Sequence, residues 1–144
     1  MNEFDRLWND IDVSRVMILS TCADKRVTSR SMSVVIYGGK FYCQTNKDNL
    51  KCKQIADNPN VALCWTNFSV EGKCRIIGRP CDIPDFIQAM KKAYPDAVKR
   101  WSMLSEECVL EITPALIKSW IYENNVPYIE IWDFSDNTYR KEQQ

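Results

Sequence analysis

Turn dipeptides cut most of this chain into short runs of β-forming residues. Val16–Cys22 is apolar and rich in β formers, and Asp24-Lys25 follows it as a turn. Val27–Tyr37 alternates, ends at Gly38-Gly39 and gives way to Phe41–Thr45. Two such runs joined by Gly-Gly predict a β-hairpin. Val61–Phe68, Lys73–Gly78, Cys108–Thr113, Leu116–Tyr122 and Tyr128–Phe134 read as further strands, with Asn124-Asn125 as a turn. Pro127 places the start of the last strand at an edge. Seven or eight strands with few helices predict a mainly β fold: an antiparallel β-barrel of six or more strands with short flanking helices, because closure removes exposed edges. At 144 residues the whole chain, 1–144, is expected to form one domain that needs no disulfide or metal to fold.

Helices are few. Phe4, Leu7, Trp8 and Ile11 recur at helical spacing over residues 3–11. Lys47–Asp57 reads as a helix stopped by Asn58-Pro59, with Cys52, Ile55 and Ala56 as its apolar stripe. Asp82 is placed to cap a helix with Pro84 in its first turn, burying Phe86, Ala89, Met90 and Ala93. Pro95 ends it, and a second short helix carries Val98 and Trp101.

Composition excludes several functions. There is no histidine, and so no Ser-His-Asp triad, no Cys-His dyad and no His-ligated zinc. Nineteen basic residues balance nineteen acidic ones, which gives no global pull toward nucleic acid or an anionic membrane. No apolar run is long enough to span a bilayer, and the N-terminus is acidic and amphipathic, unlike a signal peptide. Seven cysteines are irregularly spaced without a CxxC pair, which fits free thiols in a reducing, cytoplasmic setting better than a disulfide or zinc framework. Cys22, Cys43 and Cys64 fall in apolar runs, where cysteine packs as a small hydrophobe.

Two features do not fit a plain core. On the strand 27–37, Arg30 shares a face with Thr28, Met32, Val34 and Ile36. A charge on an inward face must be paired, either with a carboxylate or with an anionic ligand held through the forked guanidinium. Next, Lys47 and Lys51 lie four apart at the predicted helix start, where the helix dipole disfavours cations. Asp48 offsets part of this as a solvated first turn, but a phosphate at the helix N-terminus offsets it better. Neither GxGxxG nor a Walker A loop is present. Lys73 and Arg75 share a strand face with Ile77 and read first as surface charges.

The stretch TSRSMSVVIYGGKFYCQTNKDNLKCKQIADNPNVALCW, with GKCRIIGRP after it, resembles the pyridoxamine 5'-phosphate oxidase-like family of FMN-binding split β-barrels. The matching parts are Arg30, Gly38-Gly39, Gln44-Thr45, Asn49-Leu50-Lys51 and Asn58-Pro59-Asn60-Val61, and the likeness covers about residues 14–80. The segment DFIQAMKKAYPDAVKRW is similar to the small general-stress-protein and nitroimidazole-resistance members.

The resemblance implies FMN in a groove between the subunits of a homodimer. It implies that Arg30 and Lys51 hold the phosphate with Thr45 and Asn49 as partners, and that Ser31, Met32 and Ser33 run along the ribityl chain and ring edge. Gln44 stands at a ring- or phosphate-side position, and Lys73 replaces a ring-contacting Gln, where it could stabilise a reduced flavin. Leu50 replaces the Arg of the family's Ser-Arg-Lys, which removes one phosphate contact. True oxidases bind substrate with an Arg-x-His segment near the C-terminus, and a chain without histidine is not expected to oxidise pyridoxamine phosphate. The implied function is an FMN-dependent oxidoreductase acting with a small-molecule electron donor or acceptor. The alternative is a flavin or tetrapyrrole carrier or stress-response protein without turnover.

Overall fold

The computed structural model describes residues 1–144. Helix α1 (Glu3–Ile11) leads into strands β1 (Arg15–Ala23), β2 (Arg26–Tyr37) and β3 (Lys40–Asn46). Helix α2 (Leu50–Asp57) connects them to β4 (Asn60–Trp65) and β5 (Phe68–Gly78). A helical segment follows, with α3 (Pro84–Ala93), then the expected second short helix as an α-helical turn over Pro95–Ala97 and a π-helical turn over Val98–Ser102, before β6 (Glu107–Glu123), β7 (Val126–Asp133) and β8 (Thr138–Gln143). The sheet order is β3-β2-β1-β4-β5-β6-β7-β8, and β3 also pairs with β6. That extra pairing closes six antiparallel strands into a barrel, with β7 and β8 continuing beyond the closure.

The turns follow from residues that tolerate positive φ. Asp24 and Lys25 (φ 49° and 64°), Gly38 and Gly39 (59° and 72°), and Asn124 and Asn125 (51° and 65°) each join two paired strands. Two successive positive φ values match the right-handed twist of the flanking strands. The barrel interior holds Met17, Leu19, Val34, Phe41, Leu63, Leu110, Ile112 and Ile117, and α1 packs Leu7 and Ile11 against them. On the outer side, α3 sets Phe86 and Met90 against Val35, Tyr42 and Val109.

Several boundaries differ from the sequence reading. Helix α2 begins at Leu50, not Lys47. Its buried face holds Lys51 and Gln54 with Cys52 and Ile55, while Ala56 is exposed. Val61–Phe68 is split by a turn in which Thr66 has φ 42°. Asp82 does not cap α3: Ile83 flanks that helix and Asp82 sits in a separate short turn.

The two strands read at 108–113 and 116–122 are one strand, β6. Its register with β5 shifts between Glu71–Leu116 and Gly72–Pro114, so Ala115 is the extra residue of a bulge. Pro114 has no N–H to offer the ladder, and such residues settle at bulges. Strand β7 is interior, because β8 pairs with it along Tyr128–Asp133. Cys43 is buried as expected, but Cys64 is exposed and Cys22 half-buried; Cys52, Cys74 and Cys108 are the other buried thiols, and all seven are free.

Candidate functional site

Strand β2 turns Thr28, Arg30, Met32 and Val34 toward the barrel and Ser31 and Ser33 outward. Val34 and Met32 join the main core, whereas Val35 packs under α3. The Arg30 guanidinium donates through Nη1 to Thr21 Oγ1 at 2.8 Å and, at a longer 3.4 Å, to the Leu19 carbonyl; Nη2 donates to Thr28 Oγ1. Both threonine hydroxyls donate in turn to Gln54 Oε1, at 2.6 and 2.7 Å, and Gln54 Nε2 donates to the Arg26 carbonyl at 3.1 Å. Gln54 therefore ties α2 to β1 and β2 beneath Arg30.

Gln54→Ala leaves two inward hydroxyls and a carbonyl short of a partner. Unfolding in urea should show a loss of about 1–3 kcal/mol, the usual cost of stranding such groups. An unchanged midpoint would remove Gln54 from the support of Arg30.

Lys51 stands in the first turn of α2. Its Nζ donates to Thr45 Oγ1 at 2.9 Å, and Asn49 Nδ2 donates to the same oxygen at 3.1 Å. Asn49 thereby leaves the backbone N–H groups at the start of α2 without a side-chain cap. Neither Arg30 nor Lys51 has a carboxylate partner; the ion pairs of the chain lie elsewhere. Burial lowers the pKa of both, and the charge of Arg30 lowers that of Lys51 further. Two cations that press on each other, neither of them in a salt bridge, form a site for an anion.

A groove of about 380 Å³ opens beside Thr45, the residue to which Lys51 donates. Ser31, Met32 and Ser33 of β2, Gln44 and Thr45 of β3, and Asn49 line one wall. Met90, Ala97, Trp101 and Leu104 from the segment between β5 and β6 form the other. Ser102 Oγ donates to Gln44 Oε1 at 2.8 Å and joins the two walls.

Six of the residues singled out in the sequence thus meet in one groove; Lys51 reaches it through Thr45, and Arg30 precedes the lining residue Ser31 without lining the groove itself. Lys73 does not join them within one protomer. It is exposed on β5 and lines a separate depression with Ser20, Asn60 and Glu71. Lys47 is exposed in the turn before α2 and does not share a helix face with Lys51. Arg75 is a surface charge, paired with Glu111 at 2.8 Å.

Three contributors were not singled out: Thr21, Gln54 and Glu107. Gln54 lies three positions after Lys51, on the same face of α2, which is a signal a sequence can carry. Glu107 follows an exposed turn, and nothing in its neighbours marks it as buried.

The family model for pyridoxamine 5'-phosphate oxidase matches residues 7–121, which spans the barrel and the groove. The chain belongs to that family. No curated protein matches it. Among solved structures it is similar to general stress protein 26 of Bacillus anthracis str. Sterne, at 21% identity and a TM-score of 0.65 over 81% of this chain and 92% of that one. A pyridoxamine 5'-phosphate oxidase-related, FMN-binding protein of Nostoc punctiforme PCC 73102 matches at 14% identity and 0.65, over 94% and 90%. A NimC/NimA family protein of Clostridium acetobutylicum matches at 16% and 0.60, over 100% and 95%. These likenesses bear out the split-barrel fold. No helix is long and apolar enough to cross a membrane.

Proposed function

We propose that this member of the family binds FMN in the β2–β3 groove and acts as a flavin-dependent oxidoreductase. The pair Arg30 and Lys51, neither of them in a salt bridge, carries the reading, because a terminal phosphate supplies an anionic partner for both. Lys51 and the start of α2 hold the phosphate, with Thr45 and Asn49 as hydrogen-bonding partners. Backbone groups of Ser31, Met32 and Ser33 lie along the ribityl chain and the ring edge, and Gln44 stands across from them. Trp101, Met90 and Leu104 shield the ligand from water. Bound FMN supplies the electron-transfer chemistry, and the protein supplies position and charge. That division suits a chain without histidine.

The outer face of β1 exposes Val16 and Ile18, and the neighbouring β4 exposes Cys64. An apolar sheet face of this kind fits a second copy of the chain, which is the homodimer of this reading. Lys73 lies outside the protomer's own groove, so any contact it makes to the ring crosses to the second protomer. Light scattering should give twice the 16.8 kDa chain mass.

The test of turnover is a visible spectrum of the purified protein with added FMN, followed by NADH, NADPH and then dithionite. Bleaching by a nicotinamide donor is the result expected of an oxidoreductase. Bound flavin that only dithionite reduces would make the protein a carrier.

A further inference from the structure

Glu107 is the first residue of β6, and its side chain lines the groove while remaining only 7% exposed. It pairs in register with Asn46 of β3, beside the pair Thr45–Cys108. It has no ion pair, and no side chain or backbone group donates a hydrogen bond to its carboxylate. A desolvated carboxylate without a partner is costly and favours its neutral form.

Its charged surroundings are mixed. Lys51 of α2 attracts it. Asp48, ahead of α2, adds negative charge on the same side, and the thiols of Cys52 and Cys108 feel Glu107 itself. Next door, Glu106 is exposed and is held ionised by Ser105, with help from Lys47 and Arg79. Lys51 is therefore the cation that stabilises the Glu107 carboxylate, and it is also the cation an incoming phosphate needs. With the phosphate seated, two anions share one lysine.

Resting on the FMN reading above, we propose that Glu107 sets the selectivity of the groove between phosphorylated and unphosphorylated flavin, and takes up a proton when the phosphate binds. Ionised, Glu107 competes with the phosphate for Lys51. Protonated, it withdraws that competition and can donate a hydrogen bond. Riboflavin has no phosphate and does not meet this competition. Burial raises the carboxyl above its ordinary range, which lowers the cost of taking up the proton.

The experiment compares wild type with Glu107→Gln, titrating each with FMN and with riboflavin between pH 5 and 8. At the upper end the variant should bind FMN roughly tenfold tighter, the equivalent of one pKa unit of unfavourable coupling removed. Riboflavin should bind both proteins alike. The FMN gap should close as pH falls and the wild-type carboxyl becomes protonated. Calorimetry at the pH where the gap is half closed, in two buffers of different ionisation heat, should show more proton uptake with FMN in the wild type than in Glu107→Gln, and no such difference with riboflavin. Equal FMN affinity in the two proteins at pH 8, an equal shift for riboflavin, or equal proton uptake with FMN in the two proteins overturns the proposal. If neither protein binds FMN at any pH, the flavin reading itself fails and the proposal falls with it.

Discussion

Arg30→Ala combined with Lys51→Ala should abolish tight FMN binding while leaving the barrel folded. Two charge-assisted contacts to a phosphate are worth about 3 kcal/mol or more together, which is roughly a hundredfold or more in Kd. The fold should tolerate the change because neither cation holds it together through an ion pair. The Thr21 and Thr28 hydroxyls keep Gln54 as acceptor after Arg30 is gone. Removing both charges also relieves a mutual repulsion that lowers the pKa of Lys51. The measurement is fluorescence titration of FMN beside a thermal melt. Weaker binding with an unchanged melt supports a phosphate site, whereas retained affinity would sink that assignment.

Phe41→Ala should have the largest effect on stability. Phe41 is fully buried on β3, between its partners Ile36 of β2 and Ile112 of β6, at the seam that closes the barrel. Its ring centroid lies 5.9 Å from that of Trp8 and 6.1 Å from that of Trp65, so it joins α1 and β4 to the seam. Truncating such a side chain costs about 3–5 kcal/mol in lost transfer energy and cavity. Against a total stability of roughly 5–15 kcal/mol that is a large share, and Tm should fall by about 10 °C. A fall of only a degree or two would mean that the seam can collapse around the gap, and that closure depends less on Phe41 than its position implies.

Much of the barrel was legible because its hairpins are written as dipeptides. Asp24-Lys25, Gly38-Gly39 and Asn124-Asn125 all adopt the positive φ pairs their turns require. Arg30 was legible because period-two alternation puts it on the inward face whatever the tertiary context.

Other boundaries depended on interactions that periodicity does not reveal. Lys47, Asp48 and Asn49 suit a helix by propensity, yet Asn46 Oδ1 accepts from the Asp48 N–H at 2.8 Å and holds the segment as a turn until Leu50. That turn separates Lys47 from Lys51. The bulge at Ala115 made one strand look like two. Strand β8 was missed because its sequence, TYRKEQ, is almost wholly polar; as the free edge of the sheet it needs only one neighbour. Charged residues on an edge also discourage pairing with other chains. Glu107 could not be recognised at all, since burial of a lone carboxylate is decided by the walls that meet around it.

The most direct test of the central claim is the addition of excess FMN to the purified protein, removal of free ligand on a desalting column, and a visible spectrum of the protein fraction. A flavin spectrum at close to one FMN per chain, greatly reduced in the Arg30→Ala, Lys51→Ala variant, is the predicted result. A colourless wild-type protein that fails to retain FMN would contradict the account.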